Sequence, residues 1–390
     1  MKTIRTRADL AIHGAAPAFD EALHVGRPNM GDRDAFMRHV EDIFERRWLS
    51  NDGPLVQEFE QKVAEHVGVK HCIAMCNGTI ALEIAIRALG LEGEVIVPAY
   101  TFVATAHALQ WQGITPVFAD IDPATHTLDP EAVRRMITPR TTGIIGVHLW
   151  GRACAVEELQ ALADERGLKL MFDAAHAFTN THRGRKLGNF GACEVLSFHA
   201  TKFFNSFEGG AVVTNDDELA RTMRLMRNFG FSGLDQVSYP GTNGKMIEIA
   251  AAMGLVNMDA LDDVIAANRA NYRAYREVLA GIPGVRLVEY DERERNNYQY
   301  VIMEVGPECP ASRDFLVDAL RAENILARGY FWPGCHKMEP YRSLFPHAGL
   351  LLPHTEAVAD RVIVLPTGQT MDAASIDVVG QVVRAAMLAQ

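Results

Sequence analysis

Short apolar runs alternate with amphipathic segments of helical length between about residues 70 and 230, and this alternation restricts the fold more than any other feature. Strands that are apolar along their whole length are typical of a parallel sheet covered by helices on both faces. We therefore predict an α/β domain with a mostly parallel, seven-stranded sheet. The predicted strands are Cys72–Cys76, Glu94–Val97, Pro116–Ala119, Gly143–Leu149, Lys169–Phe172, Glu194–Phe198 and Ala211–Thr214.

The pattern changes after about Tyr239, which divides the 390-residue chain. Residues 1–32 are rich in Gly and Pro and are predicted to form an N-terminal arm. Residues 33–250 form the predicted large domain, and residues 251–390 form a smaller C-terminal α/β domain. From Met246 onward we expect helices over Met246–Ala280, Ala311–Ile325 and Ala373–Leu388, with strands at Val285–Val288, Gln299–Val305 and Leu326–Phe331.

Composition argues against several classes of partner. The formal net charge is -11 and no segment concentrates basic residues, which argues against a nucleic-acid partner. The six cysteines form no CxxC pair, so we predict neither a disulfide framework nor a metal site. No apolar run approaches the roughly 18 residues of a membrane span, and the N-terminus lacks an apolar signal core. We expect a reduced, cytoplasmic protein without a membrane partner.

Lys202 lies between two predicted strands, after Ser197-Phe198-His199-Ala200-Thr201 and shortly before Glu208-Gly209-Gly210. A desolvated amine at a strand end loses its proton easily and becomes a nucleophile. Upstream, another predicted strand ends in Asp173. A lysine and a carboxylate are the pair that a pyridoxal phosphate enzyme needs, since the amine binds the aldehyde and the acid pairs with the ring nitrogen. Taken singly, Lys202 could be a surface lysine and Asp173 a helix cap.

Further side chains follow predicted strand ends, where ligands bind in open parallel sheets. Gly78 and Thr79 open a helix whose free amides favour a phosphate, although such residues are also typical of helix caps. The hydroxyl of Ser197 could reach the same phosphate. The ring of Phe102 could stack on a flat cofactor or pack in the core, and His176 could be structural. Their convergence at one edge of one sheet favours a cofactor site.

The segments that carry a family resemblance are Asn77–Leu82, Val95–Pro98 with Thr101–Phe102, Pro116–Asp120, Asp173–His176, Ser197–Lys202 and Glu208–Gly210. In their order and spacing the chain resembles the DegT/DnrJ/EryC1/StrS family of sugar aminotransferases, from Trp48 to Pro366. The resemblance implies fold type I of the pyridoxal phosphate-dependent transferases, the fold of aspartate aminotransferase. It also implies a homodimer with shared active sites that acts on nucleotide-linked keto-sugars.

The resemblance implies a role for each residue near the cofactor ring. Lys202 attaches pyridoxal 5′-phosphate and later moves the proton, with pyridoxamine 5′-phosphate as the form that carries the amino group. Asp173 keeps the pyridine nitrogen protonated, and Phe102 stacks on the ring. His176, where many members of the family carry Gln, lies near the phenolic oxygen of the ring.

The resemblance also implies a phosphate site that two subunits share. Asn243 reaches the phosphate from the partner subunit. The chain departs from the family pattern at Lys245, where Arg is usual, and at Phe207, where Gly is usual. A lysine is a point charge rather than a bidentate fork, so a substrate role at Lys245 does not follow. The residues that hold the phosphate from within the chain are Gly78, Thr79 and Ser197.

The function that the resemblance implies is transfer of an amino group from an amino acid, L-glutamate, to a nucleotide-linked keto-sugar. The expected acceptor is dTDP-4-keto-6-deoxyglucose, which would give a 4-amino-4,6-dideoxy sugar. A 3-keto nucleotide-sugar or keto-inositol aminotransferase and a non-catalytic pyridoxal phosphate-binding regulator remain alternatives. A dehydratase of the same family would lack Lys202, and an oxidoreductase would need a G-x-G-x-x-G turn that we do not find. Arg227–Gly230 and Tyr330–Pro333 match regions near the family's substrate cleft, but a helix end and core aromatics explain them equally well.

Overall fold

The computed structural model describes residues 2–388 and folds them around a seven-stranded sheet. The inner strands are buried along nearly their whole length, which explains their continuous apolar runs. The strands of the described chain are β1 (Leu23–His24), β2 (His71–Met75), β3 (Glu94–Pro98), β4 (Thr115–Ala119), β5 (Thr141–Val147), β6 (Lys169–Asp173), β7 (Thr181–His182), β8 (Arg185–Lys186), β9 (Glu194–Ser197), β10 (Gly210–Thr214), β11 (Phe231–Gly233), β12 (Gln236–Val237), β13 (Val285–Leu287), β14 (Val301–Val305), β15 (Ile325–Leu326) and β16 (Val362–Leu365).

Helices cover both faces of the large sheet. One face packs mainly against α3, α4 and α7, and the other against α2, α5, α6 and α8. Several helices begin at a side-chain cap, as Asn77, Asp216 and Ser312 each accept a backbone N–H of the first turn. The helices are α1 (Arg33–Arg46), α2 (Pro54–Val67), α3 (Gly78–Ala88), α4 (Ala104–Gln110), α5 (Pro130–Met136), α6 (Val156–Arg166), α7 (Asp217–Met226), α8 (Glu248–Asp259), α9 (Leu261–Leu279), α10 (Arg313–Ala322), α11 (Tyr341–Leu344), α12 (Pro353–Ala359) and α13 (Ala373–Met387).

The strand order of the large sheet brings the chemistry-bearing loops to one edge. The order is β2-β10-β9-β6-β5-β3-β4, and β10 alone runs antiparallel to its neighbours. The carboxyl ends of the other strands therefore meet at the edge formed by residues 76–79, 99–103, 148–151, 174–177 and 198–209. This edge is where open α/β sheets bind their ligands.

The C-terminal part of the chain forms a smaller α/β unit. Its antiparallel sheet has the order β13-β14-β16 and packs against α9, α10 and α13. From the N-terminal residues, Ile4 and Leu10 are buried in the same core, so at least these two arm residues take part in packing. The domain boundaries at residues 32 and 250 stay a prediction.

The predicted α/β class and the mostly parallel sheet are confirmed. The predicted strand Leu326–Phe331 does not form as one element: β15 ends at Leu326, Arg328 makes an isolated bridge to Val364, and the ring of Phe331 packs against Trp150. The predicted helix Met246–Ala280 is divided at Ala260 into α8 and α9. The short helix α5 was not predicted. Among residues 2–388, no helix combines the length and the apolar character needed to cross a bilayer.

Candidate active site

A cavity of about 550 Å³ lies at the carboxyl edge of the large sheet. Residues of the small domain, among them Tyr300 and Phe331, form part of its wall. Every site residue predicted from the sequence lines this cavity except Asn243. The predicted residues that line it are Gly78, Thr79, Phe102, Asp173, His176, Ser197 and Lys202.

Lys202 enters the cavity from the loop between β9 and β10. Its backbone N–H donates to the His199 carbonyl at 2.8 Å, which gives the loop a tight turn at the lysine. Burial lowers the pKa of Lys202 to about 8, although the charge on Asp173 acts in the opposite direction. A neutral amine is therefore readily available, as a nucleophile or a base requires. The interpretation of Lys202 as a surface lysine is not supported.

Asp173 ends β6 and is buried at the base of the cavity. Its Oδ1 accepts the backbone N–H of Ala175 at 3.1 Å, and its Oδ2 accepts the hydroxyl of Thr105 at 2.8 Å. Burial raises the pKa of Asp173, whereas these two hydrogen bonds and the charge on Lys202 lower it. A buried carboxylate held by two donors is suited to balance a positive charge in the cavity.

Thr105 was not predicted from the sequence. It lies in the first turn of α4 and is fully buried, so its hydroxyl has Asp173 and Thr101 as neighbours. The signal in the sequence is weak, because a threonine in the first turn of a helix is common and nothing local relates it to β6.

Replacing Thr105 with valine should weaken catalysis about tenfold, the value of one hydrogen bond to a charged group. The loss of the donor raises the pKa of Asp173 further, so less of the carboxylate is ionised. Rate constants of the two half-reactions, measured as a function of pH, should show this loss, and Thr105→Ser should restore most of the rate. Equal rates for the valine and serine variants would contradict the role of the hydroxyl.

The helix start at Gly78 has the geometry that favours an anion. Asn77 caps α3 with its own side chain, which accepts the N–H of Ile80 at 2.8 Å. The amides of Gly78 and Thr79 donate to no residue within 2–388, so two helix N-terminal donors face the cavity. The helix-cap interpretation and the anion-site interpretation are therefore compatible, because Asn77 serves as the cap and the next two residues leave their amides free.

Two glycines allow the backbone to approach this helix start closely. A Cβ on Gly210 would lie 2.5 Å from the backbone of Asn77 and Gly78. A Cβ on Gly78 would lie 3.2 Å from the Cβ of Ser197. Ser197 is thereby brought next to the free amides. Gly210, the first residue of β10, is required by this contact.

Phe102 and His176 face the cavity in different ways. The side chain of Phe102 is 57% exposed, which excludes core packing and leaves an aromatic face available to a ligand. His176 is buried among aromatic rings, and its Nδ1 accepts the backbone N–H of Trp150 at 3.3 Å. Burial and the charge on Lys202 hold the pKa of His176 well below its usual range, so the ring is neutral.

Asn243 lies outside the cavity of its own chain. Its Oδ1 accepts a hydrogen bond from Lys245 at 2.6 Å, and the ammonium of Lys245 lies 4.8 Å from the ring centroid of Phe229. The intervening Gly244 carbonyl accepts the N–H of Cys76 at 2.8 Å, just before the start of α3. A contact between Asn243 and the phosphate site therefore stays a prediction about a second subunit.

Phe207, the other departure from the family pattern, has a left-handed backbone with φ of 63°. Glycine adopts this conformation without strain, which explains why Gly is usual here. The ring of Phe207 packs edge-on against Phe36, with centroids 5.6 Å apart.

Several residues near the predicted substrate cleft are held by contacts within the protein. Arg227 is buried and binds Glu60, Asp52 and the carbonyl of Ala74. Tyr341 is in the core and bonds to His107 at 2.7 Å, and His336 is buried 3.2 Å from Glu356. The helix-end interpretation of Arg227–Gly230 is thus supported at Arg227. In contrast, Tyr330 and Phe331 line the cavity.

The sequence analysis also missed Arg328, an exposed residue that lines the cavity. Its guanidinium lies over the ring of Tyr330, 4.6 Å from the centroid, and forms no ion pair with any acidic residue within 2–388. An arginine without an acidic partner at a cavity is suited to an anionic ligand.

Comparison with known proteins gives a consistent result. The model of the DegT/DnrJ/EryC1/StrS aminotransferase family matches residues 31–384. The dTDP-4-amino-4,6-dideoxy-D-glucose transaminase of Escherichia coli is 38% identical over 348 residues, which cover 89% of this chain and 94% of the relative. The GDP-perosamine synthase of Caulobacter vibrioides is 35% identical over 353 residues, covering 83% of this chain and 92% of the relative. The crystal structure of DesI in the presence of its TDP-sugar product has a TM-score of 0.93 and 51% identity, covering 97% of this chain and 96% of that one.

Proposed function

Because the chain belongs to the DegT/DnrJ/EryC1/StrS aminotransferase family, it is a pyridoxal phosphate-dependent transaminase, and we propose that its acceptor is a 4-keto nucleotide sugar. The proposed reaction moves an amino group from L-glutamate to dTDP-4-keto-6-deoxyglucose and gives a 4-amino-4,6-dideoxy sugar. The observation that carries this choice is similarity along nearly the whole chain to the Escherichia coli transaminase and to DesI, which was crystallised with a TDP-sugar.

The residues of the cavity fit pyridoxal phosphate. The free amides of Gly78 and Thr79 would hold its phosphate together with Ser197, since helix N-termini favour anions. The exposed ring of Phe102 would stack on the pyridine, and Asp173 would pair with the ring nitrogen. When bound, the cofactor supplies an aldehyde that carries the amino group between the substrates and a ring that withdraws electrons from the reacting carbon.

The protein's part of the mechanism centres on Lys202. Because burial lowers its pKa to about 8, its amine loses a proton far more easily than an exposed lysine, and the neutral form can remove the proton from the α-carbon of the amino donor. Asp173, held by two donors, would as a carboxylate stabilise a positive charge on the ring nitrogen during this transfer. Phe331, from the small domain, lines the same cavity and helps to exclude water from the reacting atoms.

Arg328 gives the cavity a cation that suits the charge of both substrates. A nucleotide-linked sugar carries a diphosphate and the amino donor carries carboxylates, and each is an anion that a guanidinium binds well. The proposed reaction therefore accounts for an arginine that has no acidic partner in residues 2–388.

The proposal is tested by loading the protein with pyridoxamine phosphate and offering it a panel of 3-keto and 4-keto nucleotide sugars. We expect the aldehyde absorbance to return fastest with dTDP-4-keto-6-deoxyglucose, and the product to be identified as a 4-amino sugar by NMR. Preference for a 3-keto sugar or a keto-inositol would contradict the proposed carbon. A protein that binds the cofactor but reacts with no member of the panel would favour the regulator instead.

We further propose that the enzyme is a homodimer. Trp48 and Leu49 are exposed, and the Leu49 carbonyl accepts the N–H of Glu248 at 3.0 Å, which places the exposed Ile247 beside them. The exposed ring of Phe229 lies next to the ammonium of Lys245. Exposed apolar side chains of this kind are typical of a subunit interface, and Asn243 bonds to Lys245 next to one of them.

Shared active sites predict a specific result for mixed dimers of Lys202→Ala and Asn243→Ala chains. If Asn243 acts across the interface, a heterodimer has one site with both lesions and one with neither. Its activity should therefore rise towards half that of the wild type, above either parent, at limiting pyridoxal phosphate. Both parents must first be shown to be folded and impaired. Verified heterodimers with only the average activity of the parents would mean that Asn243 does not serve the neighbouring site.

A further inference from the structure

Trp150 has an unusual backbone for a buried aromatic residue. It lies in the 3-10 turn Leu149–Gly151 that follows β5, with φ of 60° and ψ of 12°. This left-handed conformation is strained for a residue other than glycine and persists only where the surroundings enforce it. Such residues are frequent next to functional sites, and Trp150 lies directly beside the cavity residue His176.

The strained turn directs the backbone N–H of Trp150 at the ring of His176. The N–H donates to Nδ1 of His176 at 3.3 Å. A backbone N–H can only donate, so Nδ1 must be unprotonated and the single proton of the neutral ring lies on Nε2. Nε2 makes no hydrogen bond to any residue between 2 and 388, and His176 lines the cavity. The backbone of Trp150 thereby makes His176 a hydrogen-bond donor towards the ligand.

The side chain of Trp150 is held by a chain of hydrogen bonds that reaches the small domain. Its indole N–H donates to Nδ1 of His126 at 3.2 Å, so the proton of His126 lies on Nε2. Nε2 of His126 lies 2.9 Å from Oε1 of Glu304 in β14, so the Nε2 proton is donated to that carboxylate. Burial would raise the pKa of Glu304, but the hydrogen bond from His126 and the charge on Arg286 lower it to about 2. Glu304 is thus a fixed acceptor.

Two asparagines hold the segment that carries His176: Asn180 joins it to the turn, and Asn297 joins it to the chain before β14. The side-chain amide of Asn180 donates to the Gly151 carbonyl at 2.8 Å, and that of Asn297 donates to the His176 carbonyl at 2.9 Å. A Cβ on Gly151 would lie 2.3 Å from the Asn180 amide, so the two segments are in direct contact.

We propose that Trp150 is a positioning residue that fixes the tautomer of His176, so that Nε2–H donates to the phenolic oxygen of the bound cofactor. The inference rests on the proposed function for the identity of that oxygen. The tautomer itself follows from contacts within the chain. A glutamine at position 176 could do the same, because its carbonyl can accept from Trp150 while its amide donates into the cavity.

The test combines nitrogen-15 NMR of histidine-labelled holoenzyme with a pH titration of the cofactor's visible absorbance. The signals of His176, assigned by their loss in His176→Gln, should show the proton on Nε2. Trp150→Phe keeps an aromatic ring and the backbone N–H but removes the indole N–H that anchors the turn to His126. The backbone N–H should then be held less firmly towards Nδ1, which should give a mixture of tautomers. Trp111→Phe, at a residue that is 84% exposed, is the matched control and should resemble the wild type.

The titration has a defined direction. A donor on the phenolic oxygen withdraws negative charge from it and weakens its hold on the proton shared with the lysine-attached nitrogen. Loss of the donor should therefore raise the pH at the midpoint of the absorbance titration. We expect a rise of about one unit in His176→Leu and a smaller rise in Trp150→Phe. His176→Gln should stay close to the wild type.

A wild-type His176 protonated on Nδ1 would overturn the proposal, as would a folded Trp150→Phe with unchanged tautomer and midpoint. If Trp150→Phe does not fold, the same chain of hydrogen bonds is tested by comparing His126→Leu with His126→Gln. Equal tautomers and equal titration midpoints in those two variants would overturn the proposal. A wild-type protein with no cofactor on Lys202 would instead contradict the proposed function, and the NMR measurement would still decide the tautomer.

Discussion

Replacing Lys202 with alanine is expected to abolish transamination and to remove the visible absorbance of the protein. Lys202 is the sole lysine of the cavity and, by the proposed mechanism, both anchors the cofactor and moves the proton. Loss of a positioned base alone costs about 10² to 10⁴ in rate, and loss of the nucleophile adds to this. We therefore expect a decrease of more than about 10³-fold in both half-reactions, measured by stopped-flow absorbance.

Borohydride reduction of the holoenzyme followed by peptide mapping should place the cofactor on Lys202. Lys70→Ala is a suitable control, because Lys70 is exposed and pairs with Asp217 on the surface. Its absorbance and turnover should match the wild type. Attachment of the cofactor to any other lysine would refute the central assignment of the site.

Asp173→Asn should still bind pyridoxal phosphate yet lose most of its activity. An amide has nearly the same shape but no charge, so it cannot stabilise a protonated ring nitrogen in a buried site. Removing one preorganised electrostatic partner typically costs about 10² to 10³ in rate, and we expect a decrease in this range for both half-reactions. Affinity for the cofactor is measured separately by equilibrium dialysis.

Asp216→Asn provides the matched control for this substitution. Asp216 caps α7 by accepting the N–H groups of Glu218 and Leu219, and asparagine caps a helix equally well. The control should therefore keep its activity and its thermal stability. Near-normal rates in Asp173→Asn would mean that Asp173 only caps the turn after β6, which was the alternative interpretation of the sequence.

Much of the large domain could be predicted because its strands are buried on both faces. The predicted strand Glu194–Phe198 is β9 with one additional residue, and Lys169–Phe172 is β6 without its last residue. Burial on both faces makes the apolar runs continuous, so they stand out without knowledge of the neighbouring strands. The cavity residues Lys202 and Asp173 follow such runs directly, and their position along the chain already places them at the ligand edge.

The residues that were missed act through contacts between distant parts of the chain. Thr105 bonds to Asp173 across the sheet, and Trp150 depends on His126 and Glu304 for its position. Arg328 reaches the cavity from the small domain. None of these residues lies in a local pattern that differs from ordinary helix, turn or loop sequence, so only the folded chain relates them to the site.

By itself the sequence determined the α/β class, the succession of strands and the types of residue at their carboxyl ends, because local hydrophobic period and turn chemistry are properties of neighbouring residues. The tertiary structure alone decided which of these residues meet and which donors and acceptors pair with each other. It also decided how burial shifts the pKa of Lys202 and His176. Those properties depend on strand order and on the docking of the small domain. They arise from packing between residues far apart in the chain, which a local pattern does not contain.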